Sequence, residues 1–296
     1  MQKGTEQTFV VELLTTLRNG RFSPRAWGRF FLHSWLMACQ TAREHPSLRC
    51  SWLRVTCLIG ALSLLILLAN TLLLGIADTM YLLPVFAICL AWQQCDLFWH
   101  LGLNRSVSDG QLLPHVGIAN TLTWLRGLGT CYLLGRLVGG LTIFPALTLV
   151  IFLSGIATDM LDGYLARHLR TQSRLGQIAD GEADFCLYLT LTIIFLRDGM
   201  LPLWIGAIML LRFLLPLLAA LVSYLALAHP VRFGSTWWGR AAGLAQCLYF
   251  LYLLLPASLA IHIHFLATPL LYIAICLLMA SPIAQLIENI RPPASS

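Results

Sequence analysis

Charge is scarce in this chain. Asp, Glu, Lys and Arg together make up 11% of its 296 residues, against the ~25% usual in a soluble domain. That scarcity excludes an ordinary water-soluble globule, whose surface needs more ionic groups than are present. Cysteine motifs are missing as well. The nine cysteines, at positions 39, 50, 57, 89, 95, 131, 186, 247 and 276, are scattered and none forms a C-x-x-C pair. A zinc site or a disulfide framework is therefore not expected, and most of these thiols sit in apolar runs, where cysteine behaves as a small hydrophobe. There is no internal repeat and no low-complexity segment. The opening residues "MQKGTEQTFVVELL" lack the basic stretch and cleavable apolar core of a secretory leader, so none is expected.

What is present is apolar. The hydrophobic share is 58% and the mean hydropathy is +0.77. Several runs approach or exceed the roughly 20 apolar residues that cross a bilayer. The chain reads as an all-α polytopic membrane protein with eight spans, near 53–77, 80–99, 119–138, 143–168, 176–196, 202–226, 239–262 and 267–289. Residues 1–51 read as a cytoplasmic N-terminal segment, and 291–296 as a disordered tail. Within that segment Ser23 is placed to cap a helix and Pro24 to start it. Trp27, Phe30, Phe31 and Leu36 fall largely on one side of that helix, with Arg25 and Arg29 towards the other. Two readings fit: a helix lying in the membrane interface, or one packed on the rest of the protein. The net charge of +6 is nearly all arginine, which bears on topology and anionic lipid before nucleic acid, and no nucleic-acid partner is expected. Basic residues concentrate in the N-terminal segment and in loops holding Arg105, Arg170, Arg174 and Arg232. The positive-inside rule then puts both termini, and the loop between the fourth and fifth spans, in the cytoplasm.

That loop and its flanks carry the chemistry. Asp159, Asp162, Gly163 and Ala166 fall at i, i+3, i+4 and i+7 of one helix, and Gly176, Asp180 and Asp184 at i, i+4 and i+8 of the next. Each set shares one helical face. Two antiparallel helices thus bring four carboxylates together at one end of the bundle. Such a cluster repels itself in a low dielectric, and Arg167 alone is too little to balance it. Hard oxygen ligands suit Mg²⁺ or Mn²⁺, and two such ions about 3.5–4 Å apart form a clamp for displacement at phosphorus. Taken singly, each aspartate reads as a solvated helix end, and each small residue as helix packing. Together, at membrane depth, the set reads as functional.

The pattern D-x2-D-G-x2-A-R-x8-G-x3-D-x3-D, filled by Asp159, Asp162, Gly163, Ala166, Arg167, Gly176, Asp180 and Asp184, resembles the signature of the CDP-alcohol phosphotransferases. The resemblance covers about residues 115–290. It implies a six-helix catalytic membrane domain over 101–290, preceded by two additional transmembrane helices within 52–100. It also implies transfer of a phosphatidyl group from CDP-diacylglycerol to a small alcohol, with release of CMP, in a lipid bilayer. Two divalent cations, Mg²⁺ or Mn²⁺, would be held by Asp159, Asp162 and Asp180, with Asp184 as the base and a further metal contact. Gly163, Ala166, Arg167 and Gly176 match nucleotide-binding positions. Upstream, Asn120, Thr123 and Arg126 resemble an Asn-x-x-Thr-x-x-Arg pattern that opens the family's first core helix. Asn120 and Thr123 are expected to close the nucleotide pocket, and Arg126 to reach towards the acceptor. Arg212 sits within a span, and "STWWGRAAGLAQ" resembles the "SWxGKxxTxxQ" segment of phosphatidylglycerophosphate-synthase-like members. Arg212 and Arg240 are therefore candidates to hold an anionic acceptor such as glycerol 3-phosphate, although Gly243 stands where that segment has Thr. Phe185 replaces a basic residue found beside the site in many members, which keeps a neutral or zwitterionic acceptor open. So do two other readings: a CDP-choline or CDP-ethanolamine donor with a diacylglycerol acceptor, and a non-enzymatic divalent-cation transporter. Members are often homodimers, so that state is open too. Glu182 lies off the Asp180/Asp184 face and reads as a surface residue, and His262 and His264 as interfacial.

Overall fold

A computed structural model describes residues 17–222 and 237–290. The expected tail and Arg232 lie outside these. Among the described residues the main elements are all α-helices: α1 (Pro24–Glu44), α2 (Pro46–Leu74), α3 (Ile76–Trp99), α4 (Ile118–Val138), α5 (Pro145–His168), α6 (Arg174–Arg197), α7 (Leu203–Val222), α8 (Trp237–Leu254), the one-turn α9 (Ala257–Ala260) and α10 (His264–Ile290). Eight spans were expected; among the described residues four stretches are long and apolar enough to cross a membrane: Pro46–Leu74, Ile76–Trp99, Pro145–His168 and Ala257–Ala284. The all-α polytopic membrane fold is the one expected. Two boundaries differ. The first span starts at Pro46 rather than near residue 53, because Pro46 sits in the first turn, where its missing N–H costs nothing. The seventh expected span, α8, stops at Leu254 rather than near 262, and Pro256 precedes the short α9.

Local chemistry sets the ends. Ser23 caps α1, its Oγ accepting from Ala26 N at 3.3 Å, with Pro24 next. Gly75, at φ +93°, separates α2 from α3, a conformation a side chain would strain. The chain forms two compact units, residues 1–143 with 150–187, and residues 144–149 with 188–296. Helices α5 and α6 each run across that division.

In the first unit, Leu48, Val55 and Ile59 of α2 share a buried core with Leu82, Phe86 and Leu97 of α3 and Trp124, Leu128 and Tyr132 of α4. Helices α3 and α4 approach closely along a stripe of small residues. A Cβ on Gly127 would lie 2.2 Å from Gln93 Nε2, and one on Gly135 would lie 2.8 Å from Leu82 Cδ1. Neither side chain has room to stay where it is if the glycine is replaced. Helix α1 packs through Ala38 and Ala42 and through Trp99 Nε1, which donates to Ser34 Oγ at 2.6 Å. It leaves Phe31, Leu32 and Leu36 exposed. One face thus lies on the protein, as the second sequence reading had it, and another presents exposed apolar side chains.

At the Gly75 end, the guanidinium of Arg136 is fully buried. It donates to Asp78 Oδ1 at 2.8 Å, to Asp78 Oδ2 at 3.2 Å and to Asn70 Oδ1 at 3.0 Å. Tyr132 Oη donates to the same Asn70 oxygen at 2.8 Å. This clasp ties α2 and α3 to α4.

In the second unit, α10 packs on α8 and α7. Phe250 of α8 meets Phe195 and Tyr188 of α6 at ring-centroid distances of 5.0 and 5.5 Å. Arg212 donates to Gln246 Oε1 at 3.1 Å, and a Cβ on Gly243 would lie 2.6 Å from the Arg212 guanidinium. The glycine at that position makes room for the arginine.

Asp78→Ala leaves the buried Arg136 cation with only neutral groups among the partners named here. The variant should lose about 3–5 kcal/mol of stability. Asp78→Ala combined with Arg136→Met should recover most of that loss, as read by thermal unfolding of the detergent-solubilised protein.

Candidate active site

The turn between α5 and α6 positions everything at this site. Arg170 takes a left-handed conformation, φ 54°, and Ser173 caps α6, its Oγ accepting from Gly176 N at 3.0 Å. Residues 104–107 brace the turn from outside: Arg174 N donates to Arg105 O at 3.0 Å and Val107 N to Gln172 O at 3.0 Å. The two helices leave this turn antiparallel and bring their acidic faces together against α4.

Arg126 of α4 stands among the four carboxylates. Its Nη1 donates to Asp159 Oδ1 and to Asp184 Oδ1, both at 2.8 Å. Its Nη2 donates to Asp162 Oδ2 at 3.4 Å and to Asp180 Oδ1. The side chain is 1% exposed, whereas Asp159 and Asp180 are 45% and 43% exposed. The cation thus lies beneath the cluster and the carboxylates open outward from it. Asp162 is the buried member, and Thr123 Oγ1 donates to its Oδ2 at 2.9 Å. Arg126 was expected to reach towards the acceptor; the structure instead has it bonding all four aspartates. Sequence spacing does not reveal this, because Asp159, Asp162, Asp180 and Asp184 lie 33 to 58 residues further along the chain.

One oxygen each of Asp159, Asp162 and Asp180 lie within 4.8 Å of one another. Four carboxylates against one guanidinium leave a formal charge of about −3, and Arg126 engages one oxygen of each aspartate. A hard-oxygen donor set of that charge fits Mg²⁺ or Mn²⁺.

Beside the acids lies a cavity of about 140 Å³. All six residues expected to contact a nucleotide line it: Asn120, Thr123, Gly163, Ala166, Arg167 and Gly176. Two of these positions have tight neighbours. A Cβ on Gly163 would meet the Arg167 guanidinium at 3.2 Å, and one on Gly176 would sit 2.5 Å from Asn120 Oδ1. Glycine at 176 lets the Asn120 carboxamide come down onto α6, where its Nδ2 donates to Ser173 Oγ at 3.2 Å. Ser173, Gln172 and Gln177 also line the cavity and were not picked out from sequence. Ser173 was legible as a helix cap three residues before Gly176. Arg212 and Arg240 belong to the second unit, Arg212 half-buried on Gln246 and Arg240 exposed.

The family profile described as CDP-alcohol phosphatidyltransferase matches residues 116–281. It starts just before α4 and ends within α10, taking in every residue of the acid cluster and its neighbouring cavity. The chain belongs to that family of integral membrane transferases of phosphate-containing groups, which serve phospholipid biosynthesis. Searches of curated proteins and of solved structures gave no significant match.

Gly176→Ala should push the Asn120 carboxamide off Ser173 and narrow the cavity. Affinity for a cytidine nucleotide, measured by isothermal titration with CMP or CDP, should fall about tenfold or more, while the unfolding temperature changes little.

Proposed function

We propose that this protein transfers a phosphatidyl group from CDP-diacylglycerol to a small alcohol, with CMP as the leaving product. The observation that carries this reading is the acid cluster anchored on Arg126 beside a cavity lined by all six nucleotide-matching residues. An ion-conducting role gives no account of that cavity, nor of carboxylates gathered at one place rather than spread along a path.

In this reading the CMP portion of the donor lies over Gly163, Ala166 and Gly176, with Arg167 and Asn120 as polar contacts. Two divalent cations held by Asp159, Asp162, Asp180 and Asp184 would neutralise the pyrophosphate and favour departure of CMP. The acceptor hydroxyl oxygen bonds to the phosphorus that carries diacylglycerol. The bond from that phosphorus to the bridging oxygen breaks, and its electron pair leaves with CMP. Asp184 takes the hydroxyl proton. Arg126 orients Asp184 through the 2.8 Å bond to Oδ1, and a base in fixed reach of its proton is the geometric requirement for this step. Thr123 and Arg126 together orient Asp162. Arg212 and Arg240 are the proposed contacts for an anionic acceptor, for which glycerol 3-phosphate is the first to test. The catalytic domain is assigned to residues 101–290, with two additional spans before it. The arginine distribution supports a cytoplasmic site.

The test is CMP release by purified protein given CDP-diacylglycerol, Mg²⁺ or Mn²⁺, and a panel of glycerol 3-phosphate, serine, inositol, inositol phosphate and choline. One acceptor should give turnover, and EDTA should abolish it. Asp184→Asn should lower kcat by about 10²–10⁴-fold at an unchanged unfolding temperature, and normal turnover by that variant would exclude Asp184 as the base. Turnover only with soluble CDP-choline or CDP-ethanolamine and diacylglycerol would reverse the assignment of donor and acceptor.

A further inference from the structure

A second cavity, of about 480 Å³, opens between α3, α4 and α6, within the range typical of small-molecule sites. Its walls are largely apolar and include Ile88, Trp92, Leu134 and Phe185. Helix α3 lies outside the family match, so one wall is particular to this chain's N-terminal extension. Thr123 is the one residue named here that also borders the acid-lined cavity.

Polar side chains also line this groove. Asp96 and Glu182 line it, and with His100 they bring one ligating atom each within 4.8 Å of one another. His100 Nδ1 lies 3.1 Å from Asp96 Oδ1. Gln93 and Trp124 also line the groove and are more than nine-tenths buried. Among the described residues, Gln93 Oε1 and Trp124 Nε1 have no hydrogen-bond partner. The Gln93 amide is held in one sense, because its Nε2 donates to Trp124 O at 2.7 Å and a carbonyl oxygen can only accept. Its Oε1 is therefore an acceptor awaiting a donor, and the Trp124 indole is a donor awaiting an acceptor.

The charge balance points the same way. Two carboxylates face at most one histidine cation, and no lysine or arginine lines the cavity among the described residues. The groove is thus one cation short at its acidic end and greasy elsewhere. A metal ion would answer the charge and leave the Trp124 donor and the apolar walls without a role. A quaternary ammonium would leave Gln93 Oε1 unmet, since it has no N–H. A primary ammonium has three N–H donors for Asp96, Glu182 and Gln93 Oε1, and a phosphate oxygen attached to it by a short linker can accept from Trp124 Nε1.

We propose that this groove is a binding site for an aminophospholipid, a bilayer lipid whose phosphate carries a primary ammonium headgroup, separate from the transferase site. The headgroup sits between Asp96 and Glu182, and an acyl chain follows the wall from Trp92 to Leu134.

The experiment places the full chain in nanodiscs of phosphatidylethanolamine, phosphatidylcholine and phosphatidylglycerol in equal parts with identical chains, and reads retained lipid by native mass spectrometry. Phosphatidylethanolamine should be retained about tenfold or more over the other two. Glu182→Gln, at an exposed position, should abolish that preference with the unfolding temperature maintained. Glu182→Lys, which supplies its own ammonium, should do the same. Equal retention of phosphatidylcholine would make the groove a nonspecific acyl-chain slot and overturn the proposal. So would a preference unchanged in both Glu182 variants, or a bound Mn²⁺ that is lost in His100→Ala. Lipid retention is read without turnover, so its outcome is independent of the CMP-release assay.

Discussion

The arrangement of the first unit depends on one buried cation held under four acids. Arg126 is 1% exposed and donates to all four aspartates. Burying a guanidinium is costly unless each donor finds an acceptor of opposite charge, and gathering four carboxylates is costly unless something positive lies among them. The two terminal nitrogens and the four acids answer each other, while Arg126 Nε is without a partner among the described residues. The consequence is geometric: α4 must present Arg126 at the seam of α5 and α6, and the turn between those helices must be tight enough to keep their acidic faces in register.

The supporting residues follow from that need. Ser173 caps α6, and Gly176 has no Cβ, so Asn120 can close against it. Thr123 steadies the one buried aspartate. Residues 104–107, outside the family match, hold the turn by backbone hydrogen bonds. The outward-opening acids then face a small cavity with an arginine on its rim. The four aspartates stand on helices rather than on loops, which makes the acid cluster rigid.

Much of this was legible in the sequence. Helical spacing alone put Asp159 and Asp162 on one face, and Asp180 and Asp184 on another, and apolar run length marked the helices, four of which, among the described residues, are long and apolar enough to cross a membrane. Three things were not legible, for distinct reasons. Arg126 was expected towards the acceptor, and its bonds to four aspartates were hidden because those partners lie on other helices. Glu182 is exposed, as its place off the Asp180 face led one to expect, but its neighbours Asp96 and His100, at the end of α3 and more than eighty residues earlier in the chain, could not be seen from spacing. The end of α8 was misjudged because hydropathy stays high through Pro256, and only the missing N–H of proline marks the break.

The clasp of Arg136 on Asp78 has a bearing on how the N-terminal extension should be viewed. The family match begins at residue 116, which invites treating α2 and α3 as a dispensable leader. Yet α2 and α3 furnish a large part of the first unit's buried core among the described residues. Trimming the chain to its matched portion would strip Asp78 and Asn70 from a buried guanidinium in the last turn of α4 and uncover the glycine seam. The borrowed helices have become structural members of the enzyme they precede, and a shortened form would need its α4 rewritten before it could stand alone.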